Sequence, residues 1–235
     1  MIPKKIHYCW FGGNEKSKLA KKCINSWKKY CPDYEIIEWN ENNFDVTQND
    51  YLKFCYGNKE WAFLSDMARL MIIYSEGGIY FDTDVEVVRA FDDLLKYDLF
   101  IGFENNSAVN TGQGFGAVAH NEIVLEMMHV YLESQKKNIE FFELIPCPAL
   151  NTRPFVKRGL RLDGSSQMFT SYIVLAADFL NPYDDPTGVL MKTKNTFSIH
   201  WYGKSWMSKD VKMRSTIIKP FHRIFGVDCF KRLKK

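Results

Sequence analysis

Between Ser65 and Val88 an apolar segment carrying Asp66 and Arg69 runs into Gly77-Gly78, and the short apolar run Ile79-Tyr80-Phe81 that follows ends on Asp82-Thr83-Asp84. The spacing predicts a mostly buried helix over Ala62 to Ser75, capped by the glycine pair. The run after it reads as a buried strand. In an α/β sheet such a strand delivers its last residues to the edge where ligands bind. Residues i and i+2 of a strand share a face, so Asp82 and Asp84 are expected to form a carboxylate pair at the mouth of a pocket. Adjacent carboxylates repel unless a proton or cation separates them. Mg²⁺ or Mn²⁺ satisfies both and keeps positions open for phosphate oxygens. By itself the pair reads sooner as a solvated strand end; its position after the Gly-Gly turn and an apolar strand reverses this in favour of ligand binding.

The surrounding pattern supports an α/β sheet. Lys5 to Phe11 reads as a buried strand ending at Gly12-Gly13, and Ser17 to Tyr30 has helical spacing with Leu19, Cys23, Ile24 and Trp27 on one side. Tyr34 to Trp39 reads as a second strand, which makes the opening β-α-β and predicts a parallel sheet with a crossover helix. Tyr51 to Tyr56 is a short helix candidate. Leu99 to Phe103 is another strand, Asn110 to Val118 an extended glycine-rich segment, and Asn121 to Lys137 an amphipathic helix. Ile145 to Gly164 reads as irregular, Gln167 to Ala177 as either helix or strand, and Thr196 to Trp206 as strand then loop. No repeat or linker interrupts the chain. The reading is one catalytic domain over 1–208 and a basic amphipathic tail over 209–235.

A chain of 235 residues that is 46% hydrophobic and 25% charged has the composition of a globular α/β domain rather than a disordered one. No run approaches the roughly 18 apolar residues of a membrane-spanning helix. Met1-Ile2-Pro3-Lys4-Lys5 leads straight into the first strand without a signal-peptide core, which predicts a cytoplasmic protein. The six cysteines form no C-x-x-C pair and match no zinc spacing, so they are expected as small buried hydrophobes. From Lys209 to Lys235 nine Lys/Arg stand against two Asp, about +7, which leaves about −4 on the rest of a chain whose total is +3. The acidic body argues against nucleic acid as a partner.

Three further constellations carry chemistry. Asp66 and Arg69 are three apart on the buried helix and can pair; they are either a structural ion pair or part of a polar pocket shared with Asp82. Trp10, at a strand end before glycines, can stack on a base or fill the core. His200 in Ser198-Ile199-His200-Trp201-Tyr202-Gly203-Lys204-Ser205-Trp206 can ligate a metal, with Lys204 and Ser205 close to a phosphate.

Four segments taken in order resemble glycosyltransferase family 32, the DXD-type sugar transferases. They are Ile2 to Gly13, Ser65-Asp66-x-x-Arg69, Gly77-Gly78-Ile79-Tyr80-Phe81-Asp82-Thr83-Asp84, and His200 with Ser205-Trp206. The family includes capsular polysaccharide and lipopolysaccharide sugar transferases of bacteria, yeast-type mannosyltransferases and the catalytic domains of clostridial glucosylating toxins. The resemblance implies a GT-A fold with a single, mostly parallel sheet, a nucleotide-sugar donor, retention of anomeric configuration, and dependence on Mn²⁺ or Mg²⁺. It implies that Trp10 stacks on the nucleobase, Asp66 and Arg69 hold the donor sugar, and Asp82 contacts ribose, sugar or metal-bound water. It further implies that Asp84 ligates the metal, His200 supplies a late metal ligand, and Ser205 and Trp206 engage the leaving diphosphate with Lys204 offsetting its charge. Asn110 is a weaker match to a pocket residue near the sugar. A UDP-hexose is the expected donor and a glycan or lipid-linked saccharide the expected acceptor.

Two other readings use the same residues. A nucleotidyltransferase or metal phosphohydrolase also pairs aspartates, although Gly12-Gly13-Asn14-Glu15 makes a poor phosphate turn. A nucleotide-sugar or glycan-binding protein could use Arg69, Asp82 and Asp84 without turnover. The tail interleaves its cations with Ile217, Ile218, Phe221, Ile224, Phe225 and Phe230. That pattern suits either an anionic membrane surface, on the inner face of the cytoplasmic membrane, or a docked helix with a solvated basic face.

Overall fold

The structure, a computed structural model, describes residues 1–135, 144–204 and 209–230. The opening unit is strand β1 (Lys5–Cys9), helix α1 (Lys18–Tyr30) and strand β2 (Glu35–Trp39), as the spacing predicts. Ser17 caps α1, its side chain accepting from the Ala20 amide, and Ala20, Cys23, Ile24 and Trp27 form the buried stripe. Helices α2 (Asp50–Gly57) and α3 (Trp61–Glu76) follow. Gly77, at φ 64°, ends α3 in a conformation open mainly to glycine and feeds β3 (Gly78–Tyr80).

The chain continues through β4 (Val85–Val87), β5 (Leu99–Asn105), β6 (Ala108–Ala117) and α4 (Glu122–Gln135). Two short helices, α5 (Cys147–Asn151) and α6 (Arg153–Lys157), occupy the stretch expected to be irregular. Pro148 and Pro154 sit at the first turns of these helices, where a missing N–H costs nothing. The undecided segment is β7 (Gln167–Met168) and β8 (Tyr172–Leu175). Then come α7 (Ala177–Leu180), β9 (Tyr183–Asp184), β10 (Val189–Leu190), β11 (Ser198–His200) and α8 (Lys209–Phe225).

Seven strands form the central sheet in the order β2-β1-β3-β6-β5-β8-β7. β1 pairs in parallel with β2 and β3, and β5 with β8, whereas β6 runs antiparallel to both β3 and β5. The sheet is therefore mixed rather than mostly parallel. The reason is local: β5 and β6 are joined by a tight hairpin, which reverses the chain between two parallel halves.

Alternate residues of β3 feed two cores, as the two-residue period of a strand requires. Tyr80 joins Leu64, Met67, Phe103 and Tyr131 under α2, α3 and α4, while Ile79 joins Trp27, Phe91, Phe100 and Phe197 on the opposite face. β4 and β11 form a separate antiparallel ribbon over that second face. Helix α1 holds it there: the Trp27 indole donates to the Val85 carbonyl at 2.7 Å, and the Val87 amide donates to Ser26 Oγ at 2.9 Å. The five cysteines from Cys9 to Cys147 are buried, and all six are free thiols. No helix among the described residues is long and apolar enough to cross a membrane.

Candidate active site

Asp82 and Asp84 do not lie on one strand face. β3 ends at Tyr80, and the aspartates occupy a turn closed by the Val85 amide donating to the Asp82 carbonyl at 3.0 Å. The turn still brings their carboxylates together, because each is anchored from a different direction. Asp82 Oδ1 accepts from the Tyr80 hydroxyl at 3.1 Å and from Arg69 Nη2 at 3.1 Å. Asp84 Oδ2 accepts from the Gly203 amide at 2.7 Å, while its Oδ1 lies 3.3 Å from His200 Nε2. The ribbon makes the last contact: β11 pairs His200 with Val85, directly beside the turn.

Asp66 and Arg69 are buried behind this turn. Arg69 Nη2 bonds Asp66 Oδ1 at 2.7 Å, so one guanidinium joins the helix aspartate to the turn aspartate. Arg69 Nη1 also donates to Thr111 Oγ1 at 3.3 Å, Nε donates to the Ser65 carbonyl at 3.2 Å, and the guanidinium carbon lies 4.9 Å from the centre of the Tyr80 ring. With 3% of its side chain exposed, Arg69 is committed to the protein, whereas Asp82 keeps 29% and Asp84 20% of theirs open. The ion-pair and pocket readings of the sequence are thus two ends of one cluster.

Asn110 joins the same cluster from β6. Its Oδ1 accepts from the Gly112 amide at 2.6 Å and its Nδ2 donates to Glu104 Oε1 at 3.0 Å. Gly112 is required here, since a Cβ would collide with Asp82 Oδ2 and lie 2.9 Å from Arg69 Nη1. Glu104 also accepts from the Tyr202 hydroxyl at 3.2 Å, and Asn181 Nδ2 donates to that hydroxyl at 2.7 Å. Tyr202 packs on His200 with ring centres 4.1 Å apart, which ties this polar group to the DXD turn.

The sequence reading missed Tyr80, Glu104, Thr111, Gly112, Asn181 and Tyr202. Glu104 had a signal: like Asp82, it is the first charge after an apolar strand run.

The remaining predicted residues are placed as follows. Trp10 follows β1, half-buried, with its indole donating to the Asn14 carbonyl at 2.7 Å and Lys16 Nζ 5.6 Å from its ring centre. Lys204 is described, but its ammonium lies 2.6 Å from Asp185 and 3.0 Å from Ser215 Oγ, so it is tied to α8 rather than free. Ser205 and Trp206 lie outside the described residues.

The electrostatics favour a cation. Burial pushes the Asp82 carboxyl up, Arg69 opposes this, and Asp84 adds to it. Burial also works against the Asp84 anion, but His200 and the Gly203 amide outweigh it and hold its pKa below the ordinary value. His200 is raised in turn, because Asp84 overcomes the effect of burial. Ligand atoms of Asp82, Asp84 and His200 lie within 4.8 Å of one another. Two carboxylate oxygens and an imidazole nitrogen at this spacing fit a divalent cation with open positions for further oxygens. Asp66, buried beside Arg69, is pushed up to about 7 by burial, with Arg69 opposing.

Residues 17–101 match the family described as "Glycosyltransferase sugar-binding region containing DXD motif". Inositol phosphoceramide mannosyltransferase 3 of Schizosaccharomyces pombe is 30% identical over 123 residues, covering 48% of this chain and 33% of that protein. Inositol phosphoceramide mannosyltransferase 1 of the same yeast is 24% identical over 230 residues, covering 90% of this chain and 64% of its own. The chain thus spans less than two thirds of the length of these curated relatives. Among solved structures, PaToxG Glycosyltransferase superposes with a TM-score of 0.55 at 20% identity, over 67% of this chain and 69% of that one, a likeness of fold. The central mixed sheet has a GT-A fold, and residues 17–101, which hold the DXD turn, match the DXD-containing sugar-binding region of glycosyltransferases.

Proposed function

We propose that this chain moves a hexosyl group from a UDP-sugar to a glycan or lipid-linked saccharide in surface-polysaccharide synthesis, with retention of anomeric configuration and with Mn²⁺ or Mg²⁺ bound. Residues 1–208 form the catalytic unit in this reading, and the acceptor is met at the cytoplasmic side of a membrane. The observation that carries it is the convergence of Asp82, Asp84 and His200 within 4.8 Å, directly in front of the buried Asp66–Arg69 pair.

Asp82, Asp84 and His200 would hold the cation. Bound there, it would neutralise charge on the leaving diphosphate. Arg69 acts through the carboxylates it clamps, keeping Asp66 and Asp82 oriented toward the sugar hydroxyls. Asn110, fixed by Glu104, presents its amide to the same sugar. The half-buried Trp10 ring receives the base. Retention follows an internal-return route. The anomeric C–O bond breaks, with its electron pair leaving on the diphosphate. The acceptor oxygen then bonds to the same face of the anomeric carbon, and its proton passes to the departing phosphate oxygen.

The relatives named as mannosyltransferases make GDP-mannose the second donor to test. The experiment is a thermal-shift screen of UDP-glucose, UDP-galactose and GDP-mannose with and without Mn²⁺, followed by product analysis with and without EDTA. A UDP-hexose should stabilise the protein only with the metal, and transfer should stop in EDTA. An Asp84→Ala variant that keeps the metal-dependent shift removes the metal assignment. A sugar trapped covalently on a carboxylate removes the internal-return route.

A further inference from the structure

Helix α8 docks the wrong way round for an ordinary amphipathic helix, which buries its apolar stripe. Its polar side chains face the protein. Lys219 Nζ donates to the Tyr183 hydroxyl at 2.8 Å and lies 3.0 Å from Asp185, and Arg223 Nη2 donates to the Thr187 and Gly188 carbonyls at 3.0 and 3.2 Å. Ser215 Oγ accepts from Lys204 at 3.0 Å. The docked face thus rests on the β9–β10 hairpin and on the loop after β11.

The opposite face is apolar and open. At 100° per residue, Met213, Ile217, Phe221 and Ile224 fall within about 80° of one another. Ile217 is 58% and Ile224 72% exposed, and Met213, Phe221 and Phe225 are exposed beside them. Exposed Arg214 borders the stripe. The charge around it selects the occupant. Nine Lys/Arg against two Asp between Lys209 and Lys235 would repel a second copy of the same segment. An anionic lipid surface accepts both features, burying the apolar side chains at the acyl boundary and pairing the cations with headgroups.

We propose that α8 is an interfacial helix that lies on anionic lipid, with Met213, Ile217, Phe221, Ile224 and Phe225 inserted and Arg214 at headgroup level. Because Lys204 and Gly203 belong to the loop that also holds Asp84, the helix fixes the donor site at a set orientation to the lipid surface. This deepens the reading of a membrane-borne acceptor, but it is measured without turnover, so either can fail alone.

The test uses the full chain with extruded vesicles of phosphatidylcholine, alone or mixed with phosphatidylserine, in a sedimentation assay. The protein should bind the mixed vesicles, release at high salt, and show little binding to phosphatidylcholine. An Ile217→Glu/Ile224→Glu variant should bind at least about tenfold more weakly while keeping wild-type transfer to a soluble acceptor. Arg214→Glu should weaken binding by about fivefold or more. Wild-type protein that stays in solution with anionic vesicles overturns the proposal. So does equal binding by the double variant. A dimer seen by light scattering and broken by the same two substitutions, without vesicle binding, assigns the stripe to a second copy instead.

Discussion

Substituting Gly112 by alanine adds one carbon where the candidate site has no room for it. The new Cβ would run into Asp82 Oδ2 and lie 2.9 Å from Arg69 Nη1 and 3.1 Å from Asn110 Oδ1. Gly112 does not occupy the left-handed region, so alanine meets no backbone strain and the effect is steric alone. Carbon–oxygen contact distances require the Asp82 carboxylate to retreat by on the order of 1 Å. Such a displacement of a positioning group costs about 10²-fold in rate, and overpacking costs about 1–3 kcal/mol of stability. The assay is turnover at saturating donor, with Mn²⁺ titrated by calorimetry and a melt on the same sample. Gly112→Ala should lose about two orders of magnitude in kcat and bind Mn²⁺ more weakly while remaining folded. Gly57, where a Cβ meets nothing within 4 Å, supplies the control; Gly57→Ala should leave both unchanged. A Gly112→Ala protein with wild-type kcat and metal affinity would refute the idea that Asp82 is held in place by packing against β6.

Removing the shared guanidinium by Arg69→Ala leaves buried Asp66 uncompensated beside the half-open Asp82 and should cost about 3–5 kcal/mol, read by urea denaturation; a loss under about 1 kcal/mol would mean that water already solvates the cluster. Asp66 sets a pH dependence. Its folded pKa, pushed up to about 7 by burial, lies above the ordinary 3.8. The folded protein therefore keeps a proton that the unfolded chain has released, and the resulting stability is complete below about pH 4 and is lost as pH rises through 7. Asp66→Asn removes that slope, so metal-free melts should favour the variant progressively from pH 5 to pH 8; parallel curves would show that Arg69 keeps Asp66 ionised throughout.

Much of the fold can be read locally. The stripe Leu19-Cys23-Ile24-Trp27 predicts α1, although Ala20 rather than Leu19 is the buried residue at its start, and Gly77 marks the end of α3. The direction of β6 is only partly a local property. Against β5 it follows from the hairpin that joins them, but its pairing with β3 comes from farther back in the chain, and nothing in Asn110 to Val118 states whether that strand runs with it or against it. Its glycines do make sense afterwards: Gly112 leaves space for Asp82 and Gly114 for the Phe81 ring. The chemistry followed the same rule. Asp66, Arg69, Asp82, Asp84 and His200 stood out by residue type and setting, Asn110 only through the family resemblance, and the structure gathers them. Tyr202 did not stand out, because its importance lies in hydrogen bonds to Glu104 and Asn181 from distant parts of the chain. Lys204 looked free in sequence because its partner Asp185 comes from a separate loop.

The pairing of β4 with β11 also sets an order of assembly. The DXD turn is complete once residue 84 has been synthesised, yet the strand that backs it and the imidazole that faces Asp84 arrive only with residues 198–200. Until then Val85 and Val87 lack their β partner, and Asp84 lacks the imidazole that lies 3.3 Å from it. A nascent chain can bury most of the sheet, through β8, before it can complete a three-ligand site. Loading of the proposed cation would therefore be a late event in the life of the polypeptide, and a truncation before residue 198 would leave a largely formed sheet with an unfinished candidate site.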